Sequence, residues 1–157
     1  MAGAGKSSIG KKLADHLGFS FIDSDLLIEA EHQESLQRVL DKFGKENFLK
    51  IEEKALLSIE FNNTVLATGG SAIFSELAMD YVRSRSSIIF IRAPYDKIVE
   101  RVSNFSERGF LKSSNQTIQQ AFNERQLLYN HFADYEVTND ASQEKCLKKI
   151  LDLIHQK

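Results

Sequence analysis

Five residues at the start of the chain, Gly3, Gly5, Lys6, Ser7 and Ser8 in MAGAGKSSIG, have the types and spacing of a phosphate-binding loop. In the pattern G-x-x-x-x-G-K-[ST], clustered backbone N–H groups and a lysine hold the β- and γ-phosphates of a nucleotide, and the Ser or Thr hydroxyl ligates magnesium. With Gly5 as the second glycine of that pattern, the first falls one position before Met1, so the loop is present from its second position onward. Taken alone, the stretch is also readable as a glycine-rich start with a chance Gly-Lys-Ser. The residues that follow favour the phosphate reading.

Asp23 and Asp25, in Phe21-Ile22-Asp23-Ser24-Asp25, stand two apart at the end of a predicted strand, so both carboxylates can face the same sheet edge. Phosphoryl transfer needs one group to hold hydrated magnesium and another to orient or deprotonate the acceptor hydroxyl. Two carboxylates there can supply both, whereas the plain alternative is that Ser24 or Asp25 caps the next helix. Thr68-Gly69-Gly70-Ser71 follows another predicted strand, where glycines let a ligand approach backbone N–H groups; a tight turn explains it equally well. Arg101 and Arg108 bracket the start of a long loop, and Arg125 lies on the helix after it. Arginines in a lid can stabilise charge on a transferred phosphoryl group, and one on a rigid helix can grip a carboxylate at two points.

These groups need a scaffold that brings them to one edge. Apolar spacing predicts a helix from Ser7 to Leu17 stopped by Gly18, then a strand over Phe19–Asp23. Helices are predicted over Asp25–Glu31, Ser35–Phe43 and Glu46–Glu60, followed by a strand at Thr64–Thr68 and a helix from about Ser75 to Ser84. A strand over Ser87–Arg92 leads to a helix begun by Pro94 and ending near Val102. Asn104–Thr117 has no sustained period and reads as a lid loop. Helix resumes from Ile118 to about Phe132, then a strand near Tyr135–Thr138 and a final helix from Ser142. Alternating strand and helix implies a parallel sheet with helices on both faces. A phosphate loop joins the end of a strand to the start of a helix, so one strand is expected ahead of the loop. Its neighbours would otherwise keep unsatisfied backbone groups, and the expectation is that Met1 lies inside a longer natural chain.

The bulk properties narrow the function. A chain of 157 residues fits one domain, 42% hydrophobic and 27% charged, with a formal net charge of -2 and a pI near 6.1. That charge does not suit a polyanion partner, so nucleic acid is not expected. No apolar run approaches a membrane span, the start carries no secretory signal, and one cysteine, Cys146, excludes an intrachain disulfide. The expected setting is the cytoplasm, without membrane contact. His16, His32, His131 and His155 are scattered singly, which gives zinc or histidine-nucleophile chemistry little support.

Together these residues resemble the shikimate kinases, a family within the nucleoside-monophosphate-kinase-like P-loop fold. The resemblance covers nearly the whole chain: Gly3-Ala4-Gly5-Lys6-Ser7, Phe21 to Asp25 with Ile28-Glu29, Gly44 with Phe48 and Glu52, Thr68-Gly69-Gly70, Arg101 and Arg108, and Glu124-Arg125 with Tyr129 and Ala133-Asp134. It implies an α/β, three-layer kinase domain over 1–157, with a lid at about 104–117 and a parallel sheet of order 2-3-1-4-5 whose first, central strand is missing. It implies ATP and Mg2+ as cofactors, held by Gly3, Ala4, Gly5, Lys6, Ser7 and Ser8, with Ser7 and, through water, Asp23 on the metal and Arg101 packed on adenine. Lys6 and Arg108 would act on the phosphates and Asp25 as the base, while Gly69, Gly70 and Arg125 would bind a small-molecule acceptor. A monomer is the family expectation.

Three departures lie near the acceptor site. Leu49 stands where the family pattern F-R-x-x-E has arginine, Ser71 replaces the third glycine of the turn, and Gly109-Phe110 stand where the lid has Pro-Leu. The expected activity is ATP-dependent phosphorylation of a hydroxyl on a small hydroxy acid, shikimate by default. The same chemistry on another acceptor such as homoserine, or nucleotide binding without catalysis, are the alternatives.

Overall fold

The computed structural model describes residues 1–102 and 110–155. Helix α1, Lys6–Leu17, follows the loop directly and buries Ile9, Gly10, Leu13 and Ala14. It ends on Gly18, whose left-handed φ of 68° lets its N–H donate to the Ala14 carbonyl. Gly10 is the point of closest approach to the sheet, because a Cβ there would lie 2.9 Å from the Phe21 ring. Strand β1, Ser20–Asp23, passes into α2, Ser24–His32, with the Asp23 carboxylate accepting from the Asp25 N–H as the cap. Asp25 thus sits in the first turn of α2, where the predicted helix begins.

Helix α3, Leu36–Leu57, covers the two helices expected over Ser35–Phe43 and Glu46–Glu60. Gly44 interrupts it at φ 75° and ψ 167°, so the boundary survives as a kink. Strand β2, Thr64–Ala67, leads through Thr68-Gly69-Gly70-Ser71 into a 3-10 turn, Ala72–Phe74, and then α4, Glu76–Arg83. Strand β3, Ile89–Arg92, precedes α5, Tyr95–Arg101. Helix α6, Ile118–Phe132, starts on a capping box in which Thr117 and Gln120 satisfy each other's orphan N–H groups. Strand β4, Tyr135–Thr138, and helix α7, Gln143–His155, complete the order.

All pairing is parallel: β1 with β2, Ser20 opposite Thr64 and Asp23 opposite Ala67, and β3 with β4, Ile89 opposite Tyr135 and Arg92 opposite Thr138. Helical crossovers between parallel neighbours give the α/β class. Among the described residues the strands form two two-stranded sheets. Between them runs an apolar cleft of about 490 Å3, lined by all of β2, by Ile89 and Ile91 of β3, by Ile9 and Leu13 of α1 and by Ile150 of α7.

One buried side chain ties the chain's ends together. Asn139, just past β4, donates from its backbone to the Arg92 carbonyl at 2.7 Å and from Nδ2 to the Ala4 carbonyl at 2.9 Å. The phosphate loop is therefore anchored by a residue more than 130 positions away.

Candidate active site

The loop's shape follows from its glycines. Gly3 and Gly5 hold φ of 77° and 98°, and a Cβ on Gly5 would also meet Asn139 Nδ2 at 2.8 Å. Gly5 is the N-cap of α1 and offers no side chain to it, so among the described residues no cap side chain takes the first N–H groups at the helix's positive end. That is the arrangement that binds phosphate. Ser7 and Ser8 are exposed on this first turn, and Ala4 is buried beneath it. Arg101, on the last turn of α5, donates from Nη1 to the Gly3 carbonyl at 3.3 Å, which puts its guanidinium beside the loop.

Lys6 reaches back across the loop, its Nζ donating to the Met1 carbonyl at 3.0 Å. Burial pushes its pKa below the usual lysine value, opposed by the charges of Asp25 and Asp23. The Ser7 hydroxyl donates to Asp23 Oδ2 at 2.5 Å. One hydroxyl and one carboxylate, both hard oxygen donors, suit magnesium, which keeps most of its waters and uses few protein ligands.

Asp25 is drawn to the same place. Burial raises its carboxyl above the usual range, the Lys6 ammonium works against that, and Asp23 adds to it. On its far side is Gly69, where a Cβ would meet both Asp25 Oδ1, at 2.6 Å, and Glu52 Oε1. Only a bare Cα fits between the two carboxyl groups. The Gly69 N–H donates to the buried Ser24 hydroxyl at 2.8 Å, so the residue between the aspartates locks the glycine turn to α2.

Glu52 was legible in the sequence only through the resemblance, and the structure gives it a place in the site. It is 5% exposed, and its Oε2 has no hydrogen-bond partner among the described residues. Burial pushes its carboxyl up to about 7, against the hydrogen bond from Ser71 and with the help of the Asp25 charge. Ser71 thus satisfies part of a carboxyl that would otherwise be stranded.

Arg125 closes the far wall, 2% exposed. Its Nη1 donates to the Gly70 carbonyl at 3.3 Å and its Nη2 to the Leu111 carbonyl, while the Tyr129 hydroxyl, one turn on, also donates to Gly70 O at 2.8 Å. Among the described residues no acidic side chain forms an ion pair with it, so a fully buried cation is left to carbonyls and rings. A site of that kind suits an incoming anion. Leu49 is half-buried and packs on an apolar cluster containing Phe48, Val39 and Leu111, with no polar group to offer.

The structure thus brings together Gly3, Ala4, Gly5, Lys6, Ser7, Ser8, Asp23, Asp25, Gly69, Gly70, Arg101 and Arg125. Arg108 lies outside the described residues. Sequence reasoning gave no site role to Ser24 or Asn139. Tyr129, four residues past Arg125, entered only through the resemblance, and nothing local marks Asn139.

Comparison with known proteins agrees with this geometry. A family model described as shikimate kinase matches residues 2–155. A shikimate kinase of Francisella tularensis subsp. novicida is 37% identical over 153 residues, covering 94% of this chain and 87% of the relative. The structure of a shikimate kinase from Acinetobacter baumannii in complex with shikimate superposes with a TM-score of 0.87 at 30% identity, covering 98% of this chain and 88% of the other. The shikimate kinase of Aquifex aeolicus gives 0.83 at 28% identity, with 99% and 92% covered.

Proposed function

This chain belongs to the shikimate kinase family, and on that premise we propose that it transfers the γ-phosphate of ATP to a hydroxyl of shikimate. The observation that carries the reading is the placement of Lys6, Asp25 and Arg125 around one glycine turn, with phosphate-binding N–H groups on one side and, on the other, a buried guanidinium that has no ion pair among the described residues. A phosphate donor and a carboxylate-bearing acceptor would meet there.

In this reading the loop N–H groups of residues 3 to 8 and the Lys6 ammonium cradle the phosphates, and Arg101 flanks the nucleotide. Ser7 and Asp23 would hold magnesium, which when bound neutralises phosphate charge. Arg125 takes the acceptor carboxylate, and Gly69 and Gly70 let the ring approach the backbone. Asp25 orients the acceptor hydroxyl and receives its proton as the new O–P bond forms and the bond from the γ-phosphorus to the bridging oxygen breaks, releasing ADP; the burial that raises its pKa makes it a better base than an exposed aspartate. Arg108 would stabilise the transferred phosphoryl group from a lid at about 104–117.

One domain, 1–157, would carry both halves, and its sheet would be a single five-stranded one of order 2-3-1-4-5. The parallel direction of both strand pairs and the apolar cleft between β2 and β3 support a central fifth strand there. The setting we propose is a cytoplasmic monomer. Among the described residues no helix is long and apolar enough to cross a membrane.

The test is a coupled ATP-turnover assay offering shikimate, homoserine and a panel of hydroxy acids and nucleoside monophosphates. Turnover with shikimate at ordinary kinase rates is the expected result. Turnover only with another acceptor would transfer the mechanism to a different substrate, with Leu49, Ser71 and Gly109 as the first places to look.

A further inference from the structure

Arg125 is held in an unusual way. Its guanidinium carbon lies 4.3 Å from the centroid of the Phe110 ring and 5.3 Å from that of Phe74. Each ring comes from the same short segment as one of the two carbonyls that accept from the guanidinium. Phe74 ends the 3-10 turn that follows Gly70-Ser71, and Phe110 immediately precedes Leu111. Two segments distant in sequence therefore each contribute one ring and one carbonyl, and between them they restrain the guanidinium.

A guanidinium has five N–H donors, and the partners of Arg125 among the described residues, the Gly70 and Leu111 carbonyls and the Tyr129 hydroxyl, are all neutral. The group keeps its charge and has donors in hand for a carboxylate. Phe110 is half-buried, where a ring and a cation attract more strongly than at an exposed site. Phe74 is 38% exposed, so its share is smaller. The cluster that includes Leu49 seats Leu111, and so it steadies one of the two carbonyls.

We propose that Phe110 and Phe74 are positioning residues that clamp the plane of Arg125, so that this one cation can act as the acceptor's carboxylate anchor. The clamp matters to turnover only if the site is the acceptor pocket described above, so the inference rests on that reading. Its geometric part does not.

The experiment has two arms. In the first, isotope-labelled protein without ligand is studied by NMR for the rate of rotation about the Arg125 Nε–Cζ bond. Rotation is expected to be slow in the wild type and about tenfold faster in Phe110→Ala, the order of a desolvated cation–π contact. In the second, steady-state kinetics with shikimate are compared across variants. Phe110→Ala is expected to raise the acceptor KM about tenfold and Phe74→Ala about threefold, with kcat and the KM for ATP within about twofold. Phe110→Tyr and Phe110→Trp keep a ring over the cation and should restore the KM. Unchanged rotation in Phe110→Ala would overturn the clamp. So would a fall in kcat and stability that the aromatic variants do not rescue, because that pattern belongs to simple packing. If the wild type turns over no shikimate, the functional reading fails by itself, and the rotation rates still decide the clamp.

Discussion

The two halves of the site are built on opposite plans. The nucleotide half is contiguous: residues 3 to 8 supply the glycines, the lysine, the hydroxyl and the helix N-terminus, and much of its chemistry lies in backbone N–H groups at a solvent-facing edge. The acceptor half is assembled from α2, α3, the turn after β2, Leu111 and α6, and it buries ionisable groups with shifted pKa values. A contiguous backbone site depends little on which side chains surround it. A dispersed site of buried charges depends on every neighbour, which is why the departures from the family pattern at Leu49, Ser71 and Phe110 all fall there.

The strongest way to break this contrast is to remove the group at the border between the halves. Asp25→Asn is expected to lower kcat by about three orders of magnitude, within the range for loss of a positioned base, while ATP affinity measured by calorimetry stays within a few fold. A comparable loss of ATP affinity would show that the halves are not separable.

Glu52 tests the burial of charge in the acceptor half. Its folded pKa of about 7 exceeds the value of 4.5 for an ordinary glutamate, so between those pH values the folded state holds the proton that the unfolded state has lost. Stability therefore falls as pH rises from about 4.5 to 7 and stays lower above that range. Glu52→Gln cannot ionise. It should match the wild type near pH 4.5 and exceed it at pH 8 by up to about 3 kcal/mol, read as a higher Tm in a pH series. Parallel curves for the two proteins would count against the buried carboxyl.

The smallest expected effect sharpens the comparison from the other side. Leu49→Arg places a second cation near Arg125 and Glu52, and it should lower the shikimate KM by about tenfold, with the KM for ATP unchanged. A rise instead would mean that the packing of Leu49 beneath Leu111 matters more than added charge.

Legibility in the sequence followed the same division. The phosphate loop was readable because its pattern is local, and the strands at 20–23, 64–67, 89–92 and 135–138 fell within the predicted spans because buried parallel strands are short apolar runs. The two helices read over Ser35–Phe43 and Glu46–Glu60 meet in α3 at Gly44, whose φ of 75° and ψ of 167° break the helical geometry between them. Asp25 was expected to open a helix and lies in the first turn of α2, because Asp23 ends β1 and caps that helix. The Ser71 partnership of Glu52 and the ring clamp on Arg125 left no local trace, since each joins residues from different elements. Asn139 is the extreme case, a buried polar side chain with no motif around it.

That asparagine sets an order of events during synthesis. A chain made from its N-terminus produces the phosphate loop well before β4, at roughly 5 to 20 residues per second, yet the loop's Ala4 carbonyl meets its partner only once residue 139 has been added and β4 has docked. A nascent chain should therefore finish its nucleotide site only after β4 has been made, leaving shorter chains without the buried amide that fixes the loop.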